Sequence, residues 1–159
     1  MFRVSLATAA ILTFAAVVYS ETPSTKTLSA PTFYIAASGE FNNFGTTLDL
    51  RGVSNLPPGS RLSVNLYDFV GYRSSALSQD AVVVLNKDGF FAVTLQPIQG
   101  KQFKDNMVCD ISLNPNAVKQ DPSVLKIVGK TGELLGIENN PQVHKNSGGY
   151  YLEALVHIP

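Results

Sequence analysis

The sequence predicts an antiparallel β-sandwich of about seven strands, and three observations predict it. Short runs alternate apolar and polar residues, as in Arg61 to Phe69, where Leu62, Val64 and Leu66 oppose Ser63, Asn65 and Tyr67. Turn residues close the runs at sandwich-like intervals: Asn55-Leu56-Pro57-Pro58-Gly59, Asn86-Lys87-Asp88-Gly89, Asn114-Pro115. Helical spacing shows at one place, around Val124, Leu125 and Val128.

The chain has 159 residues, which favours one domain, residues 32–159. Residues 1–20 have the form of a signal peptide. Arg3 supplies a positive start, Val4 to Val18 an apolar stretch, and Val18-Tyr19-Ser20 a cleavage site. The apolar run is short for a span, which needs roughly 20 residues, so no stable membrane span is expected after cleavage. Residues 21–31, ETPSTKTLSAP, read as a flexible lead-in. The expected mature chain carries 11 basic and 12 acidic side chains, a net charge of −1. Nothing in that balance attracts a phosphate backbone, so no nucleic-acid partner is expected. Cys109 is the single cysteine, which excludes an internal disulfide and leaves stability to packing. No Asn-x-Ser/Thr sequon occurs. Together these features predict a secreted or periplasmic protein of a bacterial envelope.

Phe33 to Ser38 is the first expected strand, with Gly39 to Asn43 as a turn. Phe44 to Val53 is the second, placing Leu48 and Leu50 on one face and Asp49 and Arg51 on the other. Arg61 to Phe69 is the third, and Gly71 to Ser78 a polar loop. Ala81 to Leu85 and Phe90 to Leu95 are apolar on both faces around Asn86-Lys87-Asp88-Gly89. Gly89 tolerates positive φ, so these runs predict a hairpin in the middle of a sheet. In Asn106 to Leu113, Met107, Cys109, Ile111 and Leu113 face in and Val108, Asp110 and Ser112 face out. The inner face is expected to include Leu48, Leu50, Leu62, Val64, Leu66, Val93, Leu95, Cys109 and Ile111. Asp121-Pro122 predicts the start of a short helix near 121–128 and Gly129 its end; a strand at Leu125 to Val128 is the rival reading. Lys130 to Ser147 reads as a long loop, and Tyr150 to Ile158 as the closing strand.

The search for chemistry returns little. His144 and His157 are the only imidazoles, and no metal-ligand spacing occurs, so neither metal nor cofactor is predicted. No G-x-S-x-G elbow occurs, and Cys109 alternates with apolar residues as a small buried hydrophobe. Gly129, Gly132 and Gly136 lack the lysine and strand-to-helix setting of a phosphate loop. The run Leu56-Pro57-Pro58-Gly59, a strand, then Asp88-Gly89-Phe90-Phe91 resembles immunoglobulin-like and transthyretin-like modules of bacterial exported proteins. That resemblance spans about 40 residues of turn chemistry. It implies an immunoglobulin-like sandwich serving as an adhesion, spacer or accessory module, and it supplies no catalytic residue.

The function expected is therefore a non-catalytic exported module that binds a protein or envelope component, or fills a structural place there. Two rivals stay open. One is a small hydrolase whose carboxylates converge across strands, drawn from Asp49, Asp68, Asp110 and Glu153. The other is a glycan or small-ligand binder using Tyr150 and Tyr151. Residues 119–149 hold more apolar side chains than a solvent loop needs: Val124, Leu125, Ile127, Val128, Leu134, Leu135 and Ile137. Either the segment caps the core, or Gly129 to Asn140 forms a recognition surface. The binding candidates are Leu134, Leu135, Ile137, Tyr150 and Tyr151.

Overall fold

Among the described residues the chain forms eight strands and one helix. A computed structural model describes residues 32–42, 46–70, 76–103, 105–136 and 140–159. The expected leader and lead-in and Ile137 lie outside them. The strands are β1 (Ile35–Asn42), β2 (Thr47–Ser54), β3 (Arg61–Asp68), β4 (Ala81–Val84), β5 (Phe90–Leu95), β6 (Met107–Leu113), β7 (Val143–Asn146) and β8 (Gly149–Ile158). Helix α1 (Pro122–Val128) lies between β6 and β7. One antiparallel sheet has the order β1-β2-β5 and the other β4-β3-β6-β8-β7. Their inner faces share one core, in a sandwich-like arrangement. Leu48, Leu50, Leu62, Val64, Leu66, Leu95, Cys109 and Ile111 are buried in it, and Val93 is half-buried.

The run 81–95 corrects one expectation. Its turn forms as its residues dictate: Gly89 has φ 78°, and Asn86 Oδ1 accepts the backbone N–H groups of Asp88 and Phe90 at 2.9 and 2.8 Å. The flanking strands do not pair as a hairpin. β4 pairs β3 and β5 pairs β2, so the turn carries the chain from one sheet to the other. Both strands are edges. Each sheet packs on the core through one face, so the second apolar face of these strands is exposed at Val82, Val84 and Phe90.

Three smaller differences have local causes. The expected turn at Gly39 is strand, because Gly39 lets the chain pass close to Ile158 Cδ1, where a Cβ would sit only 2.8 Å away. The expected loop 130–147 contains β7, paired with β8 from Val143 opposite Leu152 to Asn146 opposite Gly149. Val108 and Asp110 alternate with the inner residues yet are themselves buried. They lie on β6, which has β3 on one side and β8 on the other.

Pro122–Val128 is helix, so Leu125 to Val128 is not a strand. Pro122 opens it, Asp121 is extended before it without a side-chain cap, and Gly129 at φ 89° ends it. Val124 and Val128 face the core, and Leu135 joins them there.

Two glutamines finish sheets that run out of strand. Gln142 Oε1 accepts the Ile35 N–H at 2.9 Å, and its Nε2 donates to the Ile35 carbonyl at 2.8 Å. Gln120 does the same for Arg61, at 2.9 and 2.8 Å. A side-chain amide carries the donor and acceptor of a peptide group, so each stands in for a missing strand residue.

Candidate functional site

Cross-strand register on the small sheet produces a banded outer face. Ala36 lies opposite Val53, and Val53 opposite Phe90. This first row is apolar. The second row runs Ser38, Arg51, Ala92, and the third Glu40, Asp49, Thr94. Along the strands the face thus changes from apolar, to a single cation, to two opposed carboxylates.

Glu40 and Asp49 are directly opposite, an arrangement that repels unless it is compensated. Compensation comes from neighbours. Thr94 Oγ1 and Asn42 Nδ2 each donate to Asp49 at 2.5 Å. These hydrogen bonds, with attraction from Arg51, hold the Asp49 carboxyl below its ordinary range.

A groove of about 760 Å³ lies over the first two rows. Val53, Phe90, Ala36 and Ala92 line it, Val84 and Asn86 close it at the crossing between sheets, and Arg51 is its one charged group. Phe90 is 55% exposed and Val84 56%, so one aromatic and one aliphatic side chain are open to solvent. Gly52 lies beneath. Its missing Cβ leaves room for the Phe91 ring, which fills that place from the core side.

The binding candidates read from the sequence sit elsewhere. Leu135 is fully buried, whereas Leu134 next to it is 52% exposed. Tyr150 and Tyr151 are half-buried. Lys145 Nζ lies 5.3 Å from the Tyr150 ring centroid, and His144 is 5.4 Å from the Tyr151 ring. Segment 129–136 is clamped onto the start of β8. The Tyr150 N–H donates to the Thr131 carbonyl at 2.7 Å, and a Cβ on Gly132 would strike the Tyr150 backbone. The structure therefore brings Leu135 and Tyr150 into one packed element and leaves Leu134 facing solvent.

Glu133 ties this segment together. Its carboxylate accepts the Thr131 N–H at 2.8 Å, the Thr131 hydroxyl at 2.9 Å and the Lys130 N–H at 3.2 Å. Its own backbone N–H, and then these groups from Thr131, hold its pKa down at about 2. A depressed carboxylate stabilises the fold above its unfolded pKa, near 4.5, and that contribution is lost as pH falls toward 2. Glu133→Gln is expected to lessen the loss of stability between pH 4.5 and 2 while leaving the fold intact. Urea midpoints of both proteins across that range check it; parallel curves count against the assignment.

Of the carboxylates considered for hydrolysis, Asp110 and Glu153 share the outer face of adjacent strands β6 and β8. Asp110 lies opposite Leu155 and Glu153 opposite Ser112. His144 Nε2 is 3.8 Å from a Glu153 oxygen. Each carboxylate residue is only 7% exposed, which leaves little for a substrate to reach. Asp49 is on the other sheet, and Asp68 at the end of β3. Burial, and then the neighbouring charge of Asp110, push the Cys109 thiol up to about 12, so it is not a thiolate nucleophile at neutral pH. Among the described residues no group of three or more His, Cys, Asp or Glu side chains is placed to hold a metal ion, and no helix is long and apolar enough to cross a membrane.

Sequence reasoning missed the banded face. Ala36, Val53 and Phe90 are 54 positions apart in the chain from first to last, and only the register joins them. The available signal was the unexplained second apolar face of Phe90-Phe91-Ala92. No family model, curated protein or solved structure matches the chain.

Proposed function

We propose that this chain is a non-catalytic exported β-sandwich module that holds a macromolecular partner on the outer face of its small sheet. The observation that carries this reading is the groove's lining. It offers an exposed aromatic ring, aliphatic side chains and one guanidinium, the composition of a contact surface. It holds no carboxylate, imidazole or thiol to move a proton. Export to the envelope rests on the leader-like residues 1–20.

The hydrolase reading draws on Asp110 and Glu153, whose burial disfavours it. One experiment separates the two. Wild type and Phe90→Asp are immobilised and exposed to an envelope extract, with thermal unfolding followed in parallel. Phe90 is exposed, so stability should change by no more than about 0.5 kcal/mol, while partner retention falls at least tenfold. Retention that is unchanged in Phe90→Asp defeats the groove. Turnover of ester, glycoside or peptide substrates that disappears in Asp110→Asn would establish the hydrolase instead.

A further inference from the structure

The outer face of the small sheet is open on all three strands. Ala36, Ser38 and Glu40 on β1, Arg51 on β2, and Phe90, Ala92 and Thr94 on β5 are exposed. The outer face of the large sheet differs, since Val108, Asp110 and Glu153 are buried there. Arg51 is the one charged group of the groove. Among the described residues no hydrogen bond or ion pair engages its guanidinium; it acts on Asp49 through its charge alone. A cation set beside an apolar row is matched by an apolar group that carries a negative charge.

Spacing selects the shape of that group. The apolar row, the Arg51 row and the row of Glu40 and Asp49 follow one another every two residues along the strands, about 6.7 Å per row. An extended segment lying along the strands repeats its own same-face side chains at this interval, so it keeps step over all three rows. A helix does not, because residues four apart rise about 6 Å and turn about 40° away from the face. An extended segment also points its N–H and C=O groups sideways into water, so it lies on a face without pairing to it. A second copy of the same face does not complement the rows. A two-fold pairing that sets Arg51 against the partner's Asp49 sets the apolar row against the partner's Asn42 and the partner's Thr47.

We infer that the groove takes an extended segment of a different polypeptide, with an aromatic or aliphatic side chain on Val53 and Phe90 and, two residues on, a carboxylate on Arg51. The inference rests on the outer face of the small sheet being the contact surface. Two residues further on, a basic side chain meets Glu40 and Asp49. The sequence pattern recognised is apolar-x-acidic-x-basic. Charge supplies selection here more than strength. A lysine in the acidic position meets Arg51 and is rejected, and an acidic residue in the basic position meets two carboxylates.

Amide chemical shifts of the isotope-labelled protein test it. The probes are the acetylated, amidated hexapeptide Thr-Phe-Thr-Glu-Thr-Lys and its forms with Gln or Lys in place of Glu. The Glu peptide should shift the amides of Arg51, Val53, Phe90 and Ala92. The Gln peptide should bind about threefold more weakly, as the loss of one exposed charge pair implies, and the Lys peptide more weakly still. In Arg51→Gln, whose altered side chain is exposed, the fold should persist and the Glu and Gln peptides should bind alike. Wild type that binds at the groove without ranking the three peptides keeps the contact surface and overturns the charge pattern. Unchanged binding of the Glu peptide by Phe90→Asp removes the contact surface and the inference with it. Absence of any groove shift overturns the inference too, while retention from the extract still reports on the surface. Sodium octanoate that shifts the groove amides at lower concentration than the Glu peptide makes the occupant a lipid carboxylate. The same shifts on concentrating the protein alone make it a second copy. Either result overturns the proposal.

Discussion

Leu135→Asp is expected to unfold the domain, or to cost about 4 kcal/mol or more, because it removes a fully buried leucine and places a carboxylate in its position. Leu134→Asp, one residue earlier, should shift stability by no more than about 0.5 kcal/mol, since that side chain is exposed. Chemical denaturation of the pair is the measurement. The contrast matters because it assigns segment 129–136 its role. Large loss from Leu135 with indifference at Leu134 makes the segment a cap on the core, held by Val124, Val128 and the Tyr150 backbone. Equal effects at both positions would mean that the loop is not anchored through Leu135.

Gly52→Val should also be severe, at roughly 3 kcal/mol. Gly52 is on the middle strand of the small sheet, opposite Ala37 on one side and Phe91 on the other. A Cβ there meets the Phe91 ring and the Ala36 carbonyl. The ring has little freedom, since Phe91 is buried in the core. Shrinking it should relieve part of the damage: Gly52→Val with Phe91→Leu is expected to be more stable than Gly52→Val alone, a non-additivity typical of touching residues. If the two changes simply add, Phe91 is not the obstacle.

These two positions show what a sequence can and cannot reveal here. Strand β3 was legible because Leu62, Val64 and Leu66 alternate with polar residues, and alternation is a property of one strand alone. The 86–89 turn was legible for the same reason, since Asn86 and Gly89 act locally. Whether the strands beyond that turn pair or part is decided by β2 and β3, which nothing in 81–95 encodes. β7 escaped because Val143-His144-Lys145-Asn146 has one apolar residue and no alternation to show. Leu134 and Leu135 were both candidates because a loop has no period that separates its inward from its outward side. The banded face is harder still: it depends on the relative register of three strands, and each contributes one residue to a row.

The Gln142 clamp joins positions 107 apart, as does the bond from Asn140 to the Phe33 carbonyl at 2.7 Å. The large sheet also depends on a late segment, with β8 lying between β6 and β7. The clamp on the first strand needs residues 140–142, and the larger sheet needs β8. Long closures of this kind slow folding. Order at the start of the described chain therefore waits on residues more than a hundred positions further on.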